Sequence, residues 1–352
     1  MKLHTHSTWI FIALTVATTT AQAEGNYTVY GKARISVDST DNGSNTVTKV
    51  SNGNSRLGFK GEENMGNGLK AIFQMEILVN MDDGQGNSST LLGSGRNTYV
   101  GLAGGFGTLL LGNYDNPYKL ATSNLDNWSD SMGDFNAMIG NVSGATTPFN
   151  ERERNSINYW SPKMNGLQFK AAYRPDETDS VNRDRYSANA TYDNGPLYVG
   201  VAYEKHRKDN VSGASGYDTD GLTIGAAYAF NEEKTKLGLI YESLSEDNID
   251  SVLDRDLWYL ALAHKIGNNT FKVTYANAGN NDTGNNTGAD WYVLGLDHAL
   301  SKRTSVYGLY ARTNNDTYAQ YGLGTGGSSG AVPNGVAGLG LATFSVGINH
   351  DF

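Results

Sequence analysis

Short runs in which apolar and polar side chains take turns recur along the chain, parted by stretches rich in Asn, Asp, Ser, Thr and Gly. In Ala342–Phe352, Phe344, Val346, Ile348 and Phe352 fall on one side of an extended backbone, and Ser345, Gly347, Asn349 and Asp351 on the other. A period of two marks a β-strand with one apolar and one polar face. The pattern predicts strands over Val29–Ile35, Ser55–Lys60, Leu69–Met75, Arg96–Leu102, Gly107–Asn113, Asn155–Trp160, Leu167–Tyr173 and Tyr186–Tyr192. Eight more begin at Leu197, Leu222, Thr235, Leu257, Thr270, Trp291, Ser305 and Ala342, which brings the count to sixteen.

The connections alternate in length. Short ones fall at 161–166, 193–196, 231–234, 266–269 and 299–303; long polar ones fall at 39–54, 80–95, 115–154, 175–185, 205–220, 244–255, 277–290 and 313–341. All six prolines lie in connections, where a missing N–H breaks no ladder bond. Short turns at one end, long loops at the other and an even strand number are the signature of an antiparallel β-barrel in an outer membrane. The terminal Phe352 fits an aromatic seated at the membrane interface and is the expected assembly signal. The chain reads as a single barrel domain over 24–352, with one face of each strand toward lipid.

The first residues add a leader. Lys2 with His4 and His6, the apolar run Trp9–Ala17 and then Ala21-Gln-Ala23 predict a signal peptide over 1–23, cut between Ala23 and Glu24, and export through the Sec pathway. No run approaches the ~18 apolar residues of a membrane-spanning helix, and the mean hydropathy is −0.45. With 43 Gly and 21 Tyr, the composition suits many short strands and aromatic interfaces. Zero cysteines excludes disulfides, thiolate metal sites and cysteine nucleophiles. The formal charge of −9 becomes −10 once the leader removes Lys2, which argues against a nucleic-acid partner.

The long connection at 115–154 carries its own pattern. Between Leu120 and Asn150 there is no Lys or Arg, while Asp126, Asp130 and Asp134 recur every four residues. Leu125, Trp128, Met132, Phe135 and Ile139 follow a 3-4-3-4 spacing on roughly the opposite side, so the spacing predicts an acidic amphipathic helix. Inside a barrel, such a loop would lay its apolar stripe on the wall and turn carboxylates toward the water. Strand parity supplies an opposing basic wall. Lys32 and Arg34 share the polar face of the first strand, and Arg56 and Lys60 that of the second; in the fourth, parity turns Arg96 inward and Tyr99 outward. A cation on the lipid face costs roughly 2–4 kcal/mol at the midplane, which forces these residues inward.

Val29–Ala33, Ser55–Gly61, Arg154–Pro162, Leu300–Tyr307 and Val346–Phe352 together resemble the signature segments of the general diffusion porins of Gram-negative bacteria, in the family's order and across nearly the whole mature chain. The resemblance implies a sixteen-stranded homotrimer with a water-filled pore in each subunit, narrowed by the third external loop and passing small hydrophilic solutes and ions. It carries a basic constriction cluster onto Lys32, Arg56, Arg96 and Arg152; parity adds Arg34. The surroundings it implies are outer-membrane lipid with lipopolysaccharide, and the barrel-assembly machinery. His298 and His350 depart from the tyrosine or arginine common at their positions.

Other chemistries find little support. Gly322–Gly327 matches G-x-G-x-x-G but runs into Ser-Ser-Gly rather than a helix. The histidines show no H-E-x-x-H spacing, and although His264 or His298 with a nearby serine would suit a barrel hydrolase, isolated interface histidines are the better reading. The polar loop Gly279–Asp290 needs no calcium to be polar. No enzymatic activity, cofactor or metal is expected. A saturable substrate-specific channel, which would show a row of lumen aromatics or a basic ladder, is one rival reading, and a plugged structural barrel is another.

Overall fold

Alternation dictates strands, and strands in hydrocarbon must pair on both edges because no water is present to satisfy a free N–H or C=O. In a computed structural model of the protein, residues 25–83, 90–142, 149–177, 183–209, 217–247, 254–324 and 336–352 are described. The leader over 1–23, its cleavage point, Pro148, Pro333 and the end of the Gly322–Gly327 motif lie outside them. The strands are β1 (Asn26–Asp41), β2 (Thr46–Asn52), β3 (Arg56–Gly66), β4 (Leu69–Val79), β5 (Leu92–Gly95), β6 (Thr98–Gly104), β7 (Gly107–Asp115), β8 (Arg152–Trp160) and β9 (Leu167–Arg174). They continue as β10 (Arg185–Asn194), β11 (Leu197–Asp209), β12 (Tyr217–Phe230), β13 (Thr235–Glu246), β14 (Arg255–Ile266), β15 (Asn269–Ala278), β16 (Ala289–Ala299), β17 (Thr304–Asn315) and β18 (Leu341–Asp351).

These eighteen segments make sixteen barrel strands, because two strands are broken. β2 and β3 both pair with the same edge of β1, at Ile35↔Asn52 and Lys32↔Arg56, and Gly53–Ser55 bulges between them. Ser55 spans the gap: its hydroxyl accepts from Arg34 N at 2.9 Å and donates to Arg34 O at 3.0 Å. β5 and β6 likewise share β4, parted by Arg96 and Asn97. All ladders are antiparallel, and β1 closes on β18 from Lys32↔Asp351 to Asp41↔Ala342. β2 and β5 sit in stretches that alternation assigned to loops; the intervening breaks disguise them.

One face of the closed sheet is apolar and bare. Val29, Val37, Phe344 and Val346 are 52–66% exposed, which in water would be a liability and in lipid is a requirement. The break at Arg96–Asn97 changes the parity of the strand after it. Val100 and Leu102 take the lipid face, and Tyr99 turns into the lumen to meet Tyr114 edge-on at 5.3 Å, opposite to the outward orientation that unbroken alternation gives.

The packed core lies inside the barrel, between the wall and the long connection after β7. That loop opens with α1 (Pro117–Thr122), where Asn116 Oδ1 accepts from Lys119 N and Pro117 fills the first helical position. The helix expected over the aspartates does not form. The chain instead makes a 3-10 turn at Ser123–Leu125, leaves helical angles at Asp126, turns left-handed at Asp130 (φ 61°) and makes a second 3-10 turn at Phe135–Ala137. Each flanking aspartate serves a local backbone group: Asp126 accepts from Trp128 N at 2.9 Å, and Asp134 from Asn136 N at 2.9 Å and Asp130 N at 2.8 Å. Short acidic side chains compete with the helix for its own N–H groups, and here they win.

The apolar stripe survives this change of backbone. Leu125, Trp128, Met132, Phe135 and Ile139 are each at most 4% exposed and pack with Ile240, Tyr259, Trp291, Val293 and Leu309 of the β13–β17 wall. Each side chain so buried contributes roughly 1.5–3 kcal/mol. Polar moorings fix the height. The Trp128 indole donates to Thr274 Oγ1 at 3.1 Å, Lys272 Nζ to Asn127 O at 2.8 Å, Lys236 Nζ to Asn124 O at 2.6 Å and Arg34 to Ser129 O at 2.9 Å. Deeply buried among them is the pair Glu242–Arg255, 2.8 Å apart, with both side chains at most 1% exposed. Arg255 donates to Met138 O at 3.0 Å and Asn141 O at 3.1 Å; Glu242 accepts from Gly140 N at 2.9 Å and the Tyr118 hydroxyl at 3.0 Å. At the loop's two ends, Asn116 donates to Glu204 at 2.5 Å and Phe149 stacks on His206 at 4.4 Å.

The seam generates a first prediction. Gly31 and Phe352 exchange two backbone bonds of 3.0 Å, and a Cβ on Gly31 would lie 2.3 Å from the Phe352 ring. Deleting Phe352 removes both bonds and the interface aromatic, so the folded, heat-modifiable fraction in outer membranes should fall at least several-fold, and Gly31→Leu should lower it in the same direction. Wild-type yield for the deletion would refute the closure argument. A second concerns the buried pair. Arg255→Leu strands the Glu242 charge, at a cost on the order of 3–5 kcal/mol, and should release the middle of the loop. The open-channel current should become noisier, while Arg255→Leu with Glu242→Leu should restore much of the wild-type trace. Equal noise in wild type and single variant would refute the mooring.

Candidate functional site

Beside the loop, open space remains on two sides, toward β3, β7, β8 and the two strand breaks, and toward β1 and β15–β18 near the short turns. The break at Gly53–Ser55 brings Asn54, and the break at Arg96–Asn97 brings Arg96, to the level of the loop's left-handed turn. Asp130 there meets Arg56 at 3.1 Å, Arg34 at 3.4 Å and Asn54 Nδ2 at 2.9 Å. Arg96 pairs with Glu76 at 2.8 Å, and its backbone N–H is taken by Glu76 O at 2.7 Å. Arg152 pairs with Asp115 at 3.1 Å and reaches Asn97 Oδ1 at 2.6 Å; Lys119 shares Asp115, also at 3.1 Å.

Two cavities flank the segment 126–131. The outer one, about 430 Å³, is lined by Arg56, Arg96, Arg152 and Lys119 together with Asp115 and Asp130. The other, about 360 Å³, opens toward the short turns and is lined by Arg34, Lys272, Lys302 and Arg303 with Asp297 and Asp351. Asp126 and Ser129 border both cavities, so the turn forms a ledge between two vestibules.

The three loop aspartates are not alike. Burial works to raise the Asp130 carboxyl, but Arg56, then Arg34 and Arg96, outweigh it and hold it below the ordinary carboxylate range. Asp134, only 6% exposed, is pushed up by burial; the N–H of Asn136 opposes this and the Asp130 charge adds to it. Burial and the neighbouring Asp134 also push Asp126 up. Asp130 is thus the fixed negative charge, and the other two stand ready to accept protons.

Of the residues that parity and resemblance marked, Arg56, Arg96 and Arg152 line the outer vestibule and Arg34 the inner one. Lys32 borders neither cavity but lies 3.9 Å from Asp351 of the closing strand, which lines the inner one. Sequence reasoning missed Lys119, Glu76, Asp115 and the lower cations Lys272, Lys302 and Arg303. Lys119 stands one residue before the cation-free stretch and four after Asp115, a spacing that on a helix start already proposes the pair. Glu76, Lys272 and Asp297 carry no local mark, since their partners are supplied by neighbouring strands. Among the described residues one group has metal-like spacing, Glu153, Glu204 and His206, but Glu153 is already bonded by Arg185 at 2.9 Å and Arg174 at 3.2 Å.

Comparison with known proteins gives the arrangement its place. The family model for Gram-negative porins matches residues 11–318. The major outer membrane protein P.IB of Neisseria meningitidis serogroup B is 33% identical over 323 residues, covering 84% of this chain and 90% of that protein. An anion-selective porin from Comamonas acidovorans superposes with a TM-score of 0.80 at 27% identity, covering 94% of this chain and 100% of the other. The in-vitro folded trimer form of OmpT, an outer membrane protein of Vibrio cholerae, has the same fold, with a TM-score of 0.69 at 15% identity over 93% and 99% of the two chains. A sixteen-stranded barrel with a lipid-ready exterior, a charged and hollow interior and these relatives belongs to the Gram-negative porin family, as an outer-membrane channel for passive diffusion and not an enzyme.

Proposed function

We propose that the pore is gauged at the loop ledge, where Asp130 faces Arg34 and Arg56 with Arg96 and Arg152 beyond, and that it passes small hydrophilic anions in preference to cations. The observation that carries this reading is the pairing of one fixed carboxylate with two guanidiniums, 3.1 and 3.4 Å away, between two vestibules each lined by four Arg or Lys side chains, against four aspartates in one and three in the other. Carboxylates on one side and guanidiniums on the other create a transverse field that orients water and dipolar solutes and excludes large apolar ones. The proton-accepting tendency of Asp126 and Asp134 favours a positive balance. The porin from Comamonas acidovorans is itself described as anion-selective, which supports the same sign here.

The proposal extends to assembly. Broad apolar outward faces, such as Leu109, Leu111, Phe344, Val346 and Ile348, and the trimer form of the Vibrio cholerae relative support a homotrimer. The belt in which Tyr173, Tyr241 and Tyr275 donate to Asp184, Asp256 and Asp290 at 3.0, 2.9 and 2.6 Å supports contact with lipopolysaccharide, and Phe352 supports recognition by the barrel-assembly machinery.

The sign is tested by reversal potential in a salt gradient. Wild type should prefer anions. Asp130→Asn, which keeps a side chain tolerant of the left-handed backbone, should strengthen that preference by roughly two-fold or more in permeability ratio; Arg56→Gln with Arg96→Gln should move it toward cations. Because burial raises the Asp126 and Asp134 carboxyls and the surrounding guanidiniums lower Asp130, the first two take up protons before Asp130 does, so anion preference should grow as pH falls. A reversal potential unmoved by either set of changes would overturn the ledge as the selective element. Assembly is tested by mass: light scattering in mild detergent should give three times the monomer mass, collapsing to one on heating, and a single monomer mass throughout would sink the trimer.

A further inference from the structure

The wall that the loop leaves open is aromatic below its cations. Tyr30 of β1, Tyr99 of β6, Tyr114 of β7 and Trp160 of β8 all point into the lumen. Tyr30 shares a face with Lys32 and Arg34. Trp160 shares one with Ser156 and Asn158, opposite the lipid-exposed Ile157 and Tyr159. The rings of Tyr99 and Tyr114 meet edge-on at 5.3 Å, and those of Tyr114 and Trp160 at 5.1 Å, so three aromatics form one continuous strip running from beside Arg96 toward the turn at 161–166. Lysines accompany it. Lys170 Nζ stands 5.1 Å from the centre of the Trp160 ring and Lys60 Nζ 5.2 Å from that of Tyr30, whose hydroxyl donates to Glu76 at 2.9 Å.

We propose that this strip is a binding track for planar aromatic carboxylates, which the pore takes up in preference to aliphatic anions of the same charge. The four rings are each partly exposed, so faces and edges remain available to a solute ring at the 4.5–7 Å separations that favour aromatic pairs. The ammonium groups of Lys170 and Lys60 are placed for a carboxylate carried on such a ring, and each already favours a π-face. An aliphatic acid of equal size answers only the charge. An uncharged arene answers only the rings and is disfavoured at the Arg56–Arg96 entry. The inference rests on the water-filled pore proposed above.

The experiment uses the full-length protein in planar bilayers with chloride as carrier and benzoate as probe. Cyclohexanecarboxylate, of the same charge and nearly the same size without a π-system, is the control. Benzoate should reduce chloride current saturably, at concentrations about five-fold below those at which cyclohexanecarboxylate does so. Trp160→Leu and Tyr114→Leu should each bring the two acids within about two-fold of each other. Lys170→Gln, a change to one lumen side chain, should weaken benzoate block several-fold and serves if the aromatic variants do not insert. Equal block by the two acids in wild type, or benzoate block undiminished in Trp160→Leu and Lys170→Gln alike, overturns the track. Chloride current in wild type without any acid reports the open path itself, so loss of that current counts against the path and not against the track.

Discussion

Every peptide group that enters hydrocarbon must find its partner within the sheet, and the last strand can do so only by returning to the first. β1 bears this requirement most heavily. It pairs with β18 along one edge, with β2 and β3 along the other, and its Gly31 exchanges two bonds with Phe352. Once the ring is closed, the parity of each strand is no longer free. A residue faces either lipid or lumen, and charged side chains collect inside because the alternative costs several kcal/mol each. The interior therefore fills with charge before any function is considered, and the long loop crosses part of what would otherwise be an open lumen.

That loop divides the lumen into unlike halves. Its apolar stripe is buried on the β13–β17 wall, where Tyr259, Trp291 and Val293 wait for it at 0% exposure. Its polar turn faces the other half, where the two strand breaks present Asn54 and Arg96. The breaks matter because a regular ladder would hold these side chains at fixed pleat positions; leaving the ladder for two or three residues lets them converge on one level. The cost is small, since Ser55 and the Arg96 N–H keep the local backbone groups bonded.

Much of this was legible in the residues. The sixteen strands follow from alternation and the basic wall from the expense of a cation in lipid. The apolar stripe of the loop was legible too, because a 3-4-3-4 spacing buries one side of either a helix or a succession of tight turns. The helix was not, because aspartates four apart read equally well as a helical face and as a series of caps, and only the wall beneath decides between them. Tyr99 was misread because parity counts cannot see a break. Lys32 was legible as inward but not as a partner of Asp351, since their meeting depends on the register of the closing seam. The pair Glu242–Arg255 sits thirteen residues apart on adjacent strands, where no local pattern marks it.

Four of the cations that moor the loop share one feature. Arg34, Lys236, Lys272 and Arg255 all grip it through main-chain carbonyl oxygens, those of Ser129, Asn124, Asn127, Met138 and Asn141. A carbonyl is present whatever side chain the residue carries, so the grip is indifferent to identity at those positions. A substitution at one of those five positions leaves that grip on the loop's course in place. At Ser129 and Asn127, which line the cavities, the side chain facing the water is thereby separable from the architecture that carries it.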